Sequence, residues 1–219
     1  MTDSASDKSL KAQNLPWLVA LATLDVIVLL VFLFPEAIGG QSLTALTAAR
    51  AGITLLVPVV VLILAALISP NAKASLVFWR ITNALPGHQA FSKYAADDPR
   101  IDMAALKKNI GEWPTDPRAQ NALWYKQYLK VRSDKSIIEA HKAYLLFRDM
   151  AAFSIPLIVA VPCGLYANGA QWVAILASAT WFIAQYALTA IPARHSGIGF
   201  VTSVLALHAA KRITASKAG

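Results

Sequence analysis

Asp25 is the residue whose setting most demands chemistry. It lies near the middle of an apolar run, residues 15–34, rich in Leu, Val and Phe. An Asp at the centre of a membrane-spanning helix costs roughly 2.5–3.5 kcal/mol of insertion free energy. Such a carboxyl is expected to face a bundle interior, where it can carry or gate a proton or an ion. Its plainer use is as hydrogen-bonding glue between helices. Partners are available in the run 171–191. There Ser178, Trp181, Gln185 and Thr189 are spaced by 3, 4 and 4 and share one stripe of a helix. Counting from the charged ends of the two runs places Asp25 between the levels of Trp181 and Gln185. Arg50, at the edge of another apolar run, is a further candidate, snorkelling toward the membrane surface. A Ser/Gln/Thr stripe more often lines a helix contact than a pore.

A second set of chemical groups lies in the polar middle of the chain. Asp97, Asp98 and Asp102 resemble the clusters whose hard oxygens hold Mg²⁺ for diphosphate chemistry. Arg100 and His88 could add anion contacts. One of these acids precedes a proline and another precedes a helix, which is the ordinary use of Asp as a cap. No metal or other cofactor is therefore expected. Trp124 and Tyr128 stand one helical turn apart, with Val131 three residues on. Such an aromatic-aliphatic stripe can anchor a partner's helix, or pack inside its own domain. The histidines, His88, His141, His195 and His208, have no metal-ligand spacing. His141 reads as a packed side chain. Cys163, the single cysteine, reads as buried and inert.

The elements that position these groups follow from composition. The chain of 219 residues is 57% hydrophobic and 15% charged, against roughly 25% charged in a soluble domain. That balance excludes a disordered chain and disfavours a soluble enzyme. Residues 15–34, at 1.5 Å each, match the roughly 30 Å of a hydrocarbon core. Three further apolar runs occupy residues 48–68, 150–166 and 171–191, with Pro58, Pro156 and Pro162 inside them and Pro192 at the end of the last. Only four residues separate the third run from the fourth, which forces an antiparallel pair. The small-residue pairs Ala45/Ala49, Ala48/Gly52 and Ala160/Gly164 permit close helix approach.

Basic residues set the threading. Nineteen of the 20 lie before the first run, between the second and third, or after the fourth. By the positive-inside rule these three segments, including both termini, are cytoplasmic. The segment 70–149 holds 13 basic and 8 acidic residues, and ten of the chain's 20 aromatics. It reads as a helical domain packed partly on the membrane face, where basic residues attract anionic headgroups. The charges of both signs are interleaved, which disfavours nucleic acid as a partner. Asp98-Pro99 or Asp102 opens a helix stopped by Gly111, and Thr115-Asp116-Pro117 and Ser136 with Glu139 open two more. The last of these helices is expected to continue into the third apolar run. Leu85-Pro86-Gly87 reads as a turn closing an extension of the second run. Residues 197–210 are apolar but too few to span, and read as an interfacial helix.

Several phrases of the central segment carry a resemblance: Leu85-Pro86-Gly87, Asp98-Pro99-Arg100-Ile101-Asp102, Gln120-Asn121-Ala122-Leu123-Trp124-Tyr125 and Tyr144-Leu145-Leu146-Phe147-Arg148-Asp149. This segment, roughly the central third of the chain, resembles a family of bacterial multipass inner-membrane proteins. The resemblance implies a bacterial inner membrane and carries no activity or functional residue with it.

The expected architecture is an all-α membrane protein. Four transmembrane helices form two hairpins, 15–69 and 150–192, flanking a helical cytoplasmic domain, 70–149. A polar N-terminus, 1–14, and a tail, 193–219, complete it on the cytoplasmic side. The expected role is a non-catalytic membrane component: an anchor, sensor or effector subunit. Its partners would be the lipid bilayer, a cytosolic protein and further copies of itself. A small channel or transporter subunit with Asp25 inside the bundle is the alternative reading, and a membrane-bound lipid-phosphate enzyme a weaker one.

Overall fold

The capping signals and apolar runs become long helices that serve the membrane stretch and the domain at once. In a computed structural model, residues 3–33, 60, 61, 63 and 66–210 are described, and all regular structure among them is helical. Helix α1 is Asp3–Leu33. The polar N-terminus therefore does not stay apart but extends the first apolar run as one helix. Helix α2 is Pro70–Phe78, opened by Ser69, whose hydroxyl accepts from the Ala72 amide, with Pro70 in the first turn. It ends where Trp79 takes a left-handed conformation, φ 52°, ahead of the turn expected at Pro86. Short turns follow over Pro86–Gln89, Ala90–Tyr94 and Ala95–Asp97. The buried Gln120 steadies them, its Oε1 accepting from the Phe91 and Ser92 amides.

Helix α3, Met103–Ile110, and helix α4, Pro117–Val131, start as the sequence indicates. Asp102 accepts from the Ala104 and Ala105 amides, and Asp116 from the Ala119 amide. Gly111 closes α3 with φ 93°, a conformation that favours glycine. Helix α5 is Lys135–Ala167 and helix α6 is Trp172–Ala210. Asp134, rather than Ser136, caps α5, accepting from the Ser136 amide and hydroxyl. As expected, α5 runs unbroken into the third apolar run, through Pro156 and Pro162.

Two expectations about α6 are corrected. The helix does not stop at Pro192 but passes through it. The tail segment 197–210 is also not a separate interfacial helix. Phe200, Val201, Val204 and Leu205 are buried in one core with Phe91, Leu106, Trp124 and Tyr128. A small domain with little apolar surface of its own gains a core by packing around this helix.

Named contacts fix the directions. Ser154 meets Gln185, and His141 stacks on Phe200, so α5 and α6 run antiparallel. Asn14 Nδ2 donates to the Lys142 carbonyl at 2.9 Å, and Asp25 lies level with Ser154 through Gln185. Helices α1 and α5 therefore run parallel. A second apolar cluster joins Leu29 and Val61 to Phe153, Leu157, Val161, Leu165, Ile175 and Phe182. Three helices among the described residues are long and apolar enough to cross a membrane: Leu10–Phe32 within α1, α5, and α6. Trp17 and Trp172 are exposed near the starts of the apolar runs 15–34 and 171–191, as interfacial aromatics are.

Candidate functional site

The only acid of the first apolar run meets the fourth run where counting along the helices placed it. Asp25 is fully buried, and its Oδ2 accepts from Gln185 Nε2 at 3.0 Å. The same amide nitrogen donates to Ser154 Oγ at 3.2 Å, so α1, α5 and α6 share one polar contact. Ser154, in turn, donates to the Met150 carbonyl. Two oxygens of this cluster, Asp25 Oδ1 and Gln185 Oε1, are buried without a hydrogen-bond partner among the described residues. Ser178 and Thr189 lie on the same buried face but bond to carbonyls of their own helix, Ile175 and Gln185 respectively. Trp181 leaves the stripe: it is exposed, and Phe182 is buried in its place. Arg50 lies outside the described residues. Ser154 had not been singled out from the sequence, because one serine in an apolar run carries no spacing signal.

One to two turns toward the domain, a second polar group closes the junction. Lys73 and Arg148 both bond Asp149 Oδ1, at 3.0 Å each, and all three side chains are largely buried. Burial pushes the Lys73 ammonium below its ordinary value, with Asp149 acting the other way. Arg148 also lies 5.5 Å from the centre of the Tyr144 ring. The charges that close the segment 70–149 thus make a buried knot linking α2 to α5, not a solvated boundary.

The remaining candidates have structural partners. Trp124, Tyr128 and Val131 are buried, so their stripe does not present a free face. Trp124 stacks on Tyr128, meets Phe200 edge-on, and donates from Nε1 to the Val201 carbonyl. The helix it anchors is the chain's own α6. His141 is packed as expected, stacked on Phe200 with a centroid distance of 4.5 Å. Cys163 is a correction: it lies exposed on α5, not buried. Gly164 has no neighbour within 4 Å of an added Cβ, so the Ala160/Gly164 pair does not mark a close crossing. Ala45/Ala49 and Ala48/Gly52 lie outside the described residues.

The acid cluster is also dispersed into separate uses. Asp102 caps α3. Asp98 holds Arg100 through two nitrogens, at 3.0 and 2.7 Å. That guanidinium holds the Asp98 carboxyl well below the usual carboxylate range, against a smaller opposing push from burial. Asp97 lines an open cleft. Among the described residues no group of three or more His, Cys, Asp or Glu is placed to hold a metal ion.

Comparison with models of protein families, with curated proteins and with solved structures finds no match to this chain.

Proposed function

We propose that the chain is a four-span, non-catalytic component of a bacterial inner membrane, whose helical domain faces the cytoplasm and binds a cytosolic protein partner. The carrying observation is the continuity of α5 and α6. Each runs from the apolar stretch into the domain core without a break. A force or partner acting on the domain therefore acts on the spans, as an anchor or effector subunit requires. A fourth crossing is supported by levels along the helices. By Leu33, α1 has climbed well past Asp25, yet Lys73 is back at the level of Asp149. The run 48–68 lies between these points, and its Val61 packs in one cluster with Leu29 and Phe182. The distribution of basic residues supports a cytoplasmic domain.

The test is purification of the full chain in mild detergent from its own cells, with mass spectrometry and light scattering. A cytosolic protein at fixed stoichiometry, lost when exposed charges of α3 and α4 are reversed, is the expected result. Light scattering reports the number of copies of the chain. Divalent-dependent turnover of a lipid phosphate by the purified chain would overturn the non-catalytic reading.

A second reading, a channel or transporter subunit, is favoured by one specific observation. Asp25 Oδ1 and Gln185 Oε1 are buried acceptors without donors among the described residues. A proton on Asp25 would turn one of those acceptors into a donor, so the site has a use for a proton that comes and goes.

A further inference from the structure

The loop that looked like a cation site borders a cleft with the opposite preference. The cleft, about 440 Å³, is lined by Lys93, Arg100 and Arg194, with Asp97, Asp98 and Thr202 among its other walls. Asp98 is already matched by Arg100, and an Arg100 nitrogen also donates to Thr202 Oγ1 at 3.0 Å, fixing that guanidinium against α6. Lys93 and Arg194 have no carboxylate partner among the described residues, so the lining carries an excess of positive charge.

The cleft also lies at a particular depth. From the pairing of Ser154 with Gln185 and of His141 with Phe200, Arg194 lies opposite residues 145–147. That is about one helical turn, roughly 5 Å, on the domain side of Asp149, where the apolar stretch begins. This is headgroup depth. Beside it Trp79 is 59% exposed, with the Arg194 guanidinium 5.3 Å from its ring centre. The indole is held by Tyr186, whose Oη accepts from Trp79 Nε1 at 3.0 Å and donates to the Leu76 carbonyl. A pinned, exposed Trp under an Arg is the side-chain set of a membrane interface. Ile81, two residues on in sequence, is 98% exposed.

We propose that this cleft seats the phosphate of an anionic phospholipid, with Lys93 and Arg194 as its cationic contacts and Trp79 packed at the acyl boundary. The proposal rests on the membrane-component reading and names one lipid site within it. Asp97 is the one lining acid among the described residues not matched by a cation, and it sets the sign of a second test.

The protein is reconstituted in phosphatidylcholine nanodiscs carrying a minority of phosphatidylglycerol, then released into mild detergent. Native mass spectrometry reads the ratio of the two lipids retained. Phosphatidylglycerol should be enriched. Lys93→Gln and Arg194→Gln should each reduce that enrichment about fivefold, equivalent to about 1 kcal/mol per basic residue at a membrane surface. Lys107→Gln and Lys135→Gln, at exposed lysines elsewhere in the domain, should leave it unchanged. Asp97→Asn should raise it, an effect that loss of folding cannot mimic. Helix content and melting temperature of each variant are checked against the parent. Equal retention of both lipids, or equal effects at all four basic positions, would overturn the proposal. Displacement of the lipid by millimolar glycerol phosphate would assign the cleft to a free phosphate and overturn its lipid occupant. A cytosolic partner that co-purifies with the parent protein while both lipids are retained equally would sink the cleft alone. Loss of the partner with the preference intact would sink the functional reading instead.

Discussion

At the scale of single residues, magnitudes separate the two uses of Asp25. Inserting it costs roughly 2.5–3.5 kcal/mol. Hydrogen bonds between membrane helices return about 0.6 kcal/mol each on average. Its one hydrogen bond among the described residues, from Gln185, therefore falls well short of the insertion cost, and glue alone is a weak reason to keep the acid. Replacement separates the readings. Asn keeps a donor and an acceptor for Gln185 and Ser154, so Asp25→Asn should assemble like the parent. If the carboxyl exchanges a proton in use, that variant should lose proton flux in liposomes while Asp25→Glu retains part of it. Asp25→Leu removes the Gln185 amide's bond to α1, leaving only its bond to Ser154, and should weaken assembly in either case. Full flux in Asp25→Asn would end the proton-handling reading. Lost flux with an unchanged oligomer would end the glue reading. The Asp25–Gln185 pairing was legible because both residues are rare types in apolar runs whose levels can be counted. Ser154 was not, since a lone serine costs little in a span and leaves no periodic trace. The knot of Lys73, Arg148 and Asp149 was hidden for another reason: charges at the end of an apolar run look like a boundary, and only tertiary contact shows that they are buried.

At the scale of elements, the sequence marks helix starts well and helix roles poorly. Asp102, Asp116 and Pro117 act locally, through amides two or three residues on, and the structure uses them as read. The role of residues 197–210 is set by what covers them, which no local signal records. Their length excludes a span, and an apolar helix that does not span can lie on the membrane or inside a domain. Eight of the ten aromatics of the segment 70–149 decide the matter, because they need an apolar partner and pack in the core that α6 enters. Gly197 marks how closely this helix is held. A Cβ there would stand 2.8 Å from Tyr144 Cε2 and 3.0 Å from Phe78 Cζ, whereas one at Gly199 would meet nothing within 4 Å. Gly197→Ala should therefore overpack the α2–α5–α6 junction and lower stability by about 1–3 kcal/mol. Gly199→Ala should be neutral or raise stability by up to about 1 kcal/mol, as Ala does in a helix interior. Thermal unfolding in one detergent checks the pair. Equal melting temperatures would show that α6 does not press on Tyr144.

At the scale of the whole molecule, the contacts fix which helix ends lie together, and the proposed threading assigns those ends to a side from the basic residues. Asn14 bonded to Lys142 puts the start of α1 beside the start of α5, on the side of the domain. From Asp149 to the turn at Asn168, α5 advances about 28 Å at 1.5 Å per residue. That is close to the roughly 30 Å of a hydrocarbon core. The Asn168 turn and the domain must then lie on opposite faces of any bilayer that this helix crosses. On the proposed reading, the nineteen basic residues against one assign the domain to the inner face. Single cysteines answer this directly, in a Cys163→Ser background, since the native thiol is exposed on α5. Cysteines at Asn168 and Glu36 should react with an impermeant maleimide in intact cells. Cysteines at Lys108 and Lys217 should react only after the membrane is opened. Asn168 tests the third and fourth crossings. Glu36 tests the second, because a chain that failed to return between Leu33 and Lys73 would leave Glu36 on the same side as Lys108. Reaction at Lys108 in intact cells would invert the threading. It would also remove the cytoplasmic partner and the inner-leaflet lipid site, since both depend on the domain facing inward.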